Sequence, residues 1–203
     1  MKENPLVTVY ITNHNYGRFI DESIKSVLNQ SFKKLELIII DDGSKDNSKK
    51  IINKYANLSN VITIFQKRKG LATSNNIALK IAKGKYIMRL DADDYLDNYA
   101  IQIMSEYLEK NSNYGLVYPD FYLVDLNGNI INIIRNNKID KNSTLTNPAN
   151  GACTMFRTEF LKEIGGYNER YTCQDGLDIW LRYIKKYKVS NIEGIQAKWT
   201  KLE

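Results

Sequence analysis

A chain of 203 residues with 43% hydrophobic side chains, 26% charged ones and three prolines has the makeup of one globular domain rather than a low-complexity segment or a pair of large domains. Its 29 Lys and Arg against 23 Asp and Glu give a net charge of +6, an excess too modest and too dispersed to point to nucleic acid; the densest runs, Lys67 to Lys69 and Arg182 to Lys188, read as solvated faces. No apolar run approaches the roughly 20 residues that span a bilayer, and "MKENPLVTV" carries no secretory signal, so the expected location is the cytoplasm.

The first predicted element is the β-branched run "LVTVYIT" (Leu6 to Thr12), which ends in polar "NHNYG". Phe19, Ile20, Ser23, Ile24, Val27 and Leu28 then recur at helical spacing. "LELIIIDD" (Leu35 to Asp42) is a second strand closing on acids and a Gly-Ser turn, followed by a helix through "SKKIINKY" and the strand "VITIF" (Val61 to Phe65). A helix from Leu71 to Ala82 leads to the strand "YIMRL" (Tyr86 to Leu90). Strands without polar alternation, separated by single helices, imply a parallel sheet covered on both faces, so the first half is expected to be α/β and doubly wound.

After a helix from about Asn98 to Lys110 the pattern becomes mixed. Two apolar runs around Asn127-Gly128 read as a hairpin, Asn136 to Gly151 as a polar loop, Thr158 to Ile164 as a short helix, and Asp178 to Lys186 as an amphipathic one. Cys153 and Cys173 have neither CxxC spacing nor a nearby His and read as two buried thiols, not as a zinc site or a disulfide framework.

In open α/β sheets ligands bind beyond the carboxyl ends of the strands. Thr12 to Asn15, Asp41 to Ser44 and Asp91 to Asp94 all fall there, so three polar clusters share one rim. The last, in "RLDADDYLDNY", sets three carboxylates in four positions. Acids that close repel, and a cation or a proton must answer them unless they face open water. Counted as an EF-hand from Asp91, the loop has Leu96 where Gly is needed and Gln102 where Glu is needed, which excludes that calcium site. A dehalogenase-type nucleophile would sit on the first strand, which ends in Asn-His-Asn, and a receiver-type pocket would need an acid on "VITIFQK". What remains is a hard divalent ion, Mg²⁺ or Mn²⁺, shared with a phosphate ligand. The plain alternative is capping of the next helix, a task that Asp97 or Asn98 fills better. The turn Asp41-Asp42-Gly43-Ser44 is less specific, since an Asx-type turn accounts for it when it is read alone.

Four stretches in order carry a resemblance: "VTVYITNHNYGRFIDESIKSVLNQSFKKLELIIIDDGSKDNS", "GKYIMRLDADDYL", "GACTMFRTEFLKEIGGYNE" and "QDGLDIWLRY". Over nearly its whole length the chain resembles the family 2 glycosyltransferases of GT-A fold. The resemblance implies a Rossmann-like, doubly wound, mostly parallel sheet in a single domain, with a nucleotide-sugar-binding half over 1–98 and a smaller mixed acceptor-side half over 99–203. It implies inverting transfer of a sugar from a nucleotide diphosphate donor, UDP-sugar favoured, with Mg²⁺ or Mn²⁺. The acceptor implied is a glycan or lipid-linked hydroxyl, as in bacterial surface polysaccharide synthesis. The donor contacts carried over are Thr12, His14, Asn15, Asp42, Asn76 and Asp91, and the metal ligands Asp93 and Asp94. Asn75 stands where the family often has a basic residue, and Lys67 or Arg68 is placed to compensate. The base that takes the acceptor's proton falls on Asp175, with Asp178 as second choice; Gln174 occupies the place of a frequent second acid.

"GGYNE" (Gly165 to Glu169) is expected as the acceptor-side loop and Trp180 as core. Peripheral association with the inner face of the membrane is compatible with the basic helix, and the C-terminal "KWTKLE" is expected to mark a truncated domain. A nucleotide-sugar binding module with little turnover is the alternative function. A nucleotidyltransferase would need a Gly-rich triphosphate loop that "TNHNYGR" does not supply.

Overall fold

The computed structural model describes residues 4–136, 153–171 and 175–200. The chain folds as β1 (Val7–Asn13), α1 (Ile20–Leu28), β2 (Leu35–Asp42), α2 (Ser48–Ile52), β3 (Val61–Gln66), α3 (Leu71–Ile81), β4 (Tyr86–Asp91), β5 (Tyr95–Leu96), α4 (Ala100–Lys110), β6 (Tyr114–Val124), β7 (Ile130–Ile134), β8 (Met155–Arg157), α5 (Thr158–Glu163), α6 (Asp175–Ile184) and β9 (Lys188–Thr200). One sheet runs β3-β2-β1-β4-β8-β6-β9-β5, with β7 added to β6. β3, β2, β1 and β4 are parallel; β8 then pairs antiparallel with both β4 and β6. This is the expected α/β architecture: a parallel, doubly wound half joined to a smaller mixed one.

The central strands are buried on both faces, and successive residues feed opposite cores, as a period of two requires. Val7, Val9 and Ile11 of β1, with Leu37 and Ile39 of β2, pack against Ile20, Ile24 and Val27 of α1 and Ile101 and Met104 of α4. Tyr10, with Ile38 and Ile40 of β2, faces the other way, onto Ala78 and Leu79 of α3, Leu161 of α5 and Ile179, Trp180 and Tyr183 of α6. Truncating a fully buried residue such as Ile38 to Ala costs about 2–5 kcal/mol by transfer and cavity terms together. Trp180 is core, as expected: it is 3% exposed and meets Tyr118 edge to face, with centroids 5.8 Å apart.

The second half departs from the sequence reading in its edges. β9, thirteen residues pairing parallel with β6 from Tyr114 to Val124, was not expected, nor were β8 and β5. The hairpin stands where Asn127-Gly128 placed it, with Asp125 accepting the amides of Asn127 and Asn129. α6 begins three residues earlier than expected, at Asp175. Cys153 is buried and free, whereas Cys173, Gln174 and most of the polar loop lie outside the described residues.

Candidate active site

β1, β2 and β4 are neighbours in perfect register: Thr12 pairs with Ile40 on one side and Asp91 on the other, and Asn13 with Asp41. That register brings the three polar clusters to one rim. Between them opens a cavity of about 430 Å³, walled by Thr12, Asn13, His14 and Tyr16 from the end of β1, by Asp42, by Arg68, Gly70, Leu71 and Ser74 leading into α3, and by Asp91, Ala92 and Asp93.

The β2 side is a knot of satisfied acids. Asp41 accepts Asn13 Nδ2 at 2.7 Å, the Ser44 hydroxyl at 2.5 Å and the Ser44 amide at 3.2 Å, which fixes the turn. Asp42 accepts Gln66 Nε2 (2.8 Å) and the Lys69 amide (2.7 Å) on Oδ1, and the Gly70 amide (2.8 Å) on Oδ2. A carboxylate offers about four lone-pair sites, so Asp42 keeps one for a donor in the cavity. Gly43 between this acid and the turn has φ 75°, and a Cβ there would lie 2.8 Å from the Arg68 amide nitrogen. The position admits glycine only.

On β1, His14 Nδ1 lies 2.8 Å from the Asp42 carbonyl, which holds the ring at the cavity wall. Asn15 does not reach the cavity. It sits at φ 63°, takes the Lys45 amide on its Oδ1 and donates its own amide to Ser44, while its Nδ2 touches His14 Nε2 at an exposed 3.2 Å contact, so it builds the turn and borders the imidazole from outside. Asn13, which the sequence reading did not single out, lines the cavity while 2% exposed, and its buried Oδ1 has no hydrogen-bond partner among the described residues. Tyr16 was missed as well; burial, then the charges of Asp93 and Asp91, raise its phenol above the ordinary value.

The β4 side is built differently. Arg89, buried on the strand, sets Nε 3.0 Å from Asp91 Oδ1 and Nη2 3.4 Å from Oδ2. Asp93 faces the cavity, and among the described residues no side chain donates to its carboxylate; burial, then the charge of Asp91, pushes it up to about 6. Asp94 turns away. It is 7% exposed, takes the Thr200 amide of β9 on Oδ1 at 3.0 Å, and is pushed up to about 8 by burial, then by Asp91 and Asp93. Contrary to its expected place beside the metal, it does not line the cavity with Asp91 and Asp93: the chain turns after β4, the Asp94 amide closing on the Asp91 carbonyl at 3.1 Å, and the side chain meets β9.

Among the described residues no group of three acids, His or Cys is placed to hold a metal. Two carboxylates, Asp91 and Asp93, do line the cavity. That oxygen-only set fits Mg²⁺ or Mn²⁺, which take one or two carboxylates and leave the remaining positions to water and phosphate. It would not suffice for an ion needing a full protein cage.

Two further expectations change. Asn76 lies outside the cavity wall: its Oδ1 accepts the Tyr167 amide (2.8 Å), and its Nδ2 donates to the Tyr167 carbonyl (2.9 Å) and to Glu169 (2.8 Å). Asp178 is taken up by Arg182, at 3.0 Å to Nε and 2.5 Å to Nη2, so it is no free base. Asp175 is the first residue of α6; its side chain lies outside the described residues.

A family model, Glycosyl transferase family 2, matches residues 8–165. The chain is 32% identical over 186 residues to a chondroitin synthase of Escherichia coli, a match covering 90% of this chain and 27% of that protein. The fold superposes on S. aureus TarS 1-349 in complex with UDP-GlcNAc with a TM-score of 0.80 at 20% identity, covering 97% of this chain and 59% of that one. A mannosyltransferase from Pyrobaculum calidifontis, solved with GDP-Man and Mn²⁺, gives a TM-score of 0.74 at 17% identity over 98% of this chain and 57% of that one.

Proposed function

Because this chain belongs to glycosyl transferase family 2, we propose that it is an inverting glycosyltransferase that moves a sugar from a nucleotide diphosphate donor, UDP-sugar favoured, to a hydroxyl of a glycan or lipid-linked acceptor. The observation that carries the reading is the asymmetry of one cavity. On one side stand a held imidazole and a carboxylate with one lone pair to spare; on the other stands Asp93, to which no side chain among the described residues donates. A nucleoside diphosphate with its cation has the matching polarity from end to end.

His14, fixed by the Asp42 carbonyl, presents its ring to the base, and the spare acceptor of Asp42 takes an N–H of it. Arg68 and Ser74 border the cavity where the basic residue absent at position 75 would otherwise act. Asp91, steadied by Arg89, is directed at the ribose or donor sugar. A Mg²⁺ or Mn²⁺ ion held by Asp93 with Asp91 beside it would neutralise diphosphate charge as the nucleotide departs. Asp175, opening α6, removes the acceptor hydroxyl's proton on the face opposite the leaving group. The protein is expected to work in the cytoplasm, at the membrane where the acceptor is lipid-linked. Polysaccharide synthesis is the setting that the chondroitin synthase relative supports.

The test is Asp175→Asn. UDP release from a panel of UDP-sugars with Mn²⁺ should fall by about 100-fold or more, the order set by loss of a general base, while calorimetric UDP affinity stays unchanged. Turnover equal to the native chain's would remove Asp175 from the base role, and absence of turnover in both would favour a binding module.

A further inference from the structure

α3, α5 and α6 share one face of the sheet, and the segment Ile164 to Glu169 is held by side chains from both α3 and α6. From α3, Asn76 pairs with both the amide and the carbonyl of Tyr167, and Thr73 one turn earlier joins Asn76 on the Glu169 carboxylate (3.0 Å and 2.8 Å). From α6, Arg182 donates to the Ile164 carbonyl and the Gly166 carbonyl, each at 2.7 Å, while Asp178 holds its guanidinium. From β1, the Tyr10 hydroxyl meets the Tyr167 hydroxyl at 3.1 Å inside the core. Gly165 and Gly166, at φ 86° and 65°, close α5 onto the Lys162 and Leu161 carbonyls. A Cβ on Gly166 would lie 2.7 Å from Asn76 Oδ1.

The two helices so joined serve the two ends of the reaction. The first turn of α3 is fastened to the donor side, because Asp42 takes the Gly70 amide and Gln66 bridges Asp42 to Ser74 at 2.8 and 3.0 Å. α6 begins with Asp175. We infer that Asn76 and Arg182 are positioning residues for transfer: through the 164–169 segment they fix the helix that carries the base relative to the helix that frames the donor. This rests on the reading of Asp175 as the base. A general base works only within hydrogen-bond reach of its proton, and a displacement of about 1 Å costs on the order of 100-fold in rate. A link made of bonds to backbone carbonyls has that precision. Lysine cannot replace Arg182, since a point charge cannot span two carbonyls and a carboxylate in one plane.

The experiment compares Asn76→Ala and Arg182→Lys with Thr8→Val, a destabilising change at the opposite end of β1 where Thr8 donates to buried Glu36 at 2.6 Å. With UDP and Mn²⁺ bound, amide exchange over residues 179–182 of α6, whose amides bond back to the first turn, should quicken about tenfold in the first two variants and not in the third. UDP affinity should stay within about twofold, and release of UDP from the panel should drop by about tenfold or more. Unchanged exchange at α6 overturns the inference, even where no sugar in the panel is turned over. So does a loss of UDP affinity in Asn76→Ala, which would return Asn76 to the donor, or an equal effect of Thr8→Val. Asp175→Asn, assayed alongside, separates the two claims. If it turns over normally while Asn76→Ala loosens α6, the base assignment fails; if it is dead while Asn76→Ala is fully active, the positioning role fails.

Discussion

Two pairs of acids end neighbouring strands on either side of β1 and have opposite fates. Asp41 and Asp42 on β2 are met by hydroxyl, amide and backbone donors until almost nothing is left to satisfy. At the end of β4, Asp91 is matched by one guanidinium, and Asp93, two residues past the strand, has no side-chain donor among the described residues and a pKa pushed up to about 6. The residue type and the place in the fold are the same. What differs is how many donors the protein itself supplies: where it supplies three to one carboxylate, the acid builds a loop; where no side chain among the described residues donates, the acid is kept for something that arrives later.

The sharpest break of that comparison is to neutralise one acid of each kind. Asp42→Asn turns an amide against the Gly70 N–H in a buried setting and should cost about 1–3 kcal/mol, a fall in melting temperature of roughly 2–10 °C for a chain of this size. Asp93→Asn removes a charge that no side chain among the described residues answers, and its melting temperature with a chelator present should hold or rise. Scanning calorimetry decides, and equal losses in both would erase the distinction.

Asp94 offers a smaller, pH-dependent effect. Its folded pKa of about 8 lies above the ordinary carboxylate value, so the folded state binds a proton that the unfolded chain has released. The stabilisation is complete below about pH 4 and is lost as pH rises toward about 8. Asp94→Asn keeps an oxygen for the Thr200 amide and never ionises, so in chelator its stability should gain on the native chain between about pH 5 and pH 8. Parallel melting curves across that range would contradict the account.

The smallest effect belongs to Asn15. Asn15→Gly relaxes a positive φ while giving up the bond to the Lys45 amide and the exposed contact with His14 Nε2, changes that should offset to within about 1 kcal/mol, with the His14 ring still held by the Asp42 carbonyl. UDP affinity should not move. A clear loss of affinity would restore Asn15 to the donor site.

The parallel half was legible because strands such as "LELIIIDD" are apolar on both faces and separated by helical spacing. β9 was not: "KVSNIEGIQAKWT" mixes Lys, Asn, Glu and Gln into the run, and its partner β6 lies far back in the sequence. That omission hid the surroundings of Asp94, whose partner, the Thr200 amide, comes from β9. Asn76 went astray for a related reason. Its position on a motif helix can be read from sequence, but Tyr167, 91 residues away, decides where its amide points. Asp41, Asp42 and Asp93 were placed on the right rim by strand ends alone, yet only the register shows which of them already have partners.

The account turns on Asp93 as the acid with no side-chain donor among the described residues, and calorimetric titration of UDP into the native chain and Asp93→Asn, with Mn²⁺ and with chelator, tests it most directly. The expected result is binding by the native chain that requires Mn²⁺ and is lost in Asp93→Asn. Binding of UDP that is indifferent to Mn²⁺, or retained in Asp93→Asn, would contradict it.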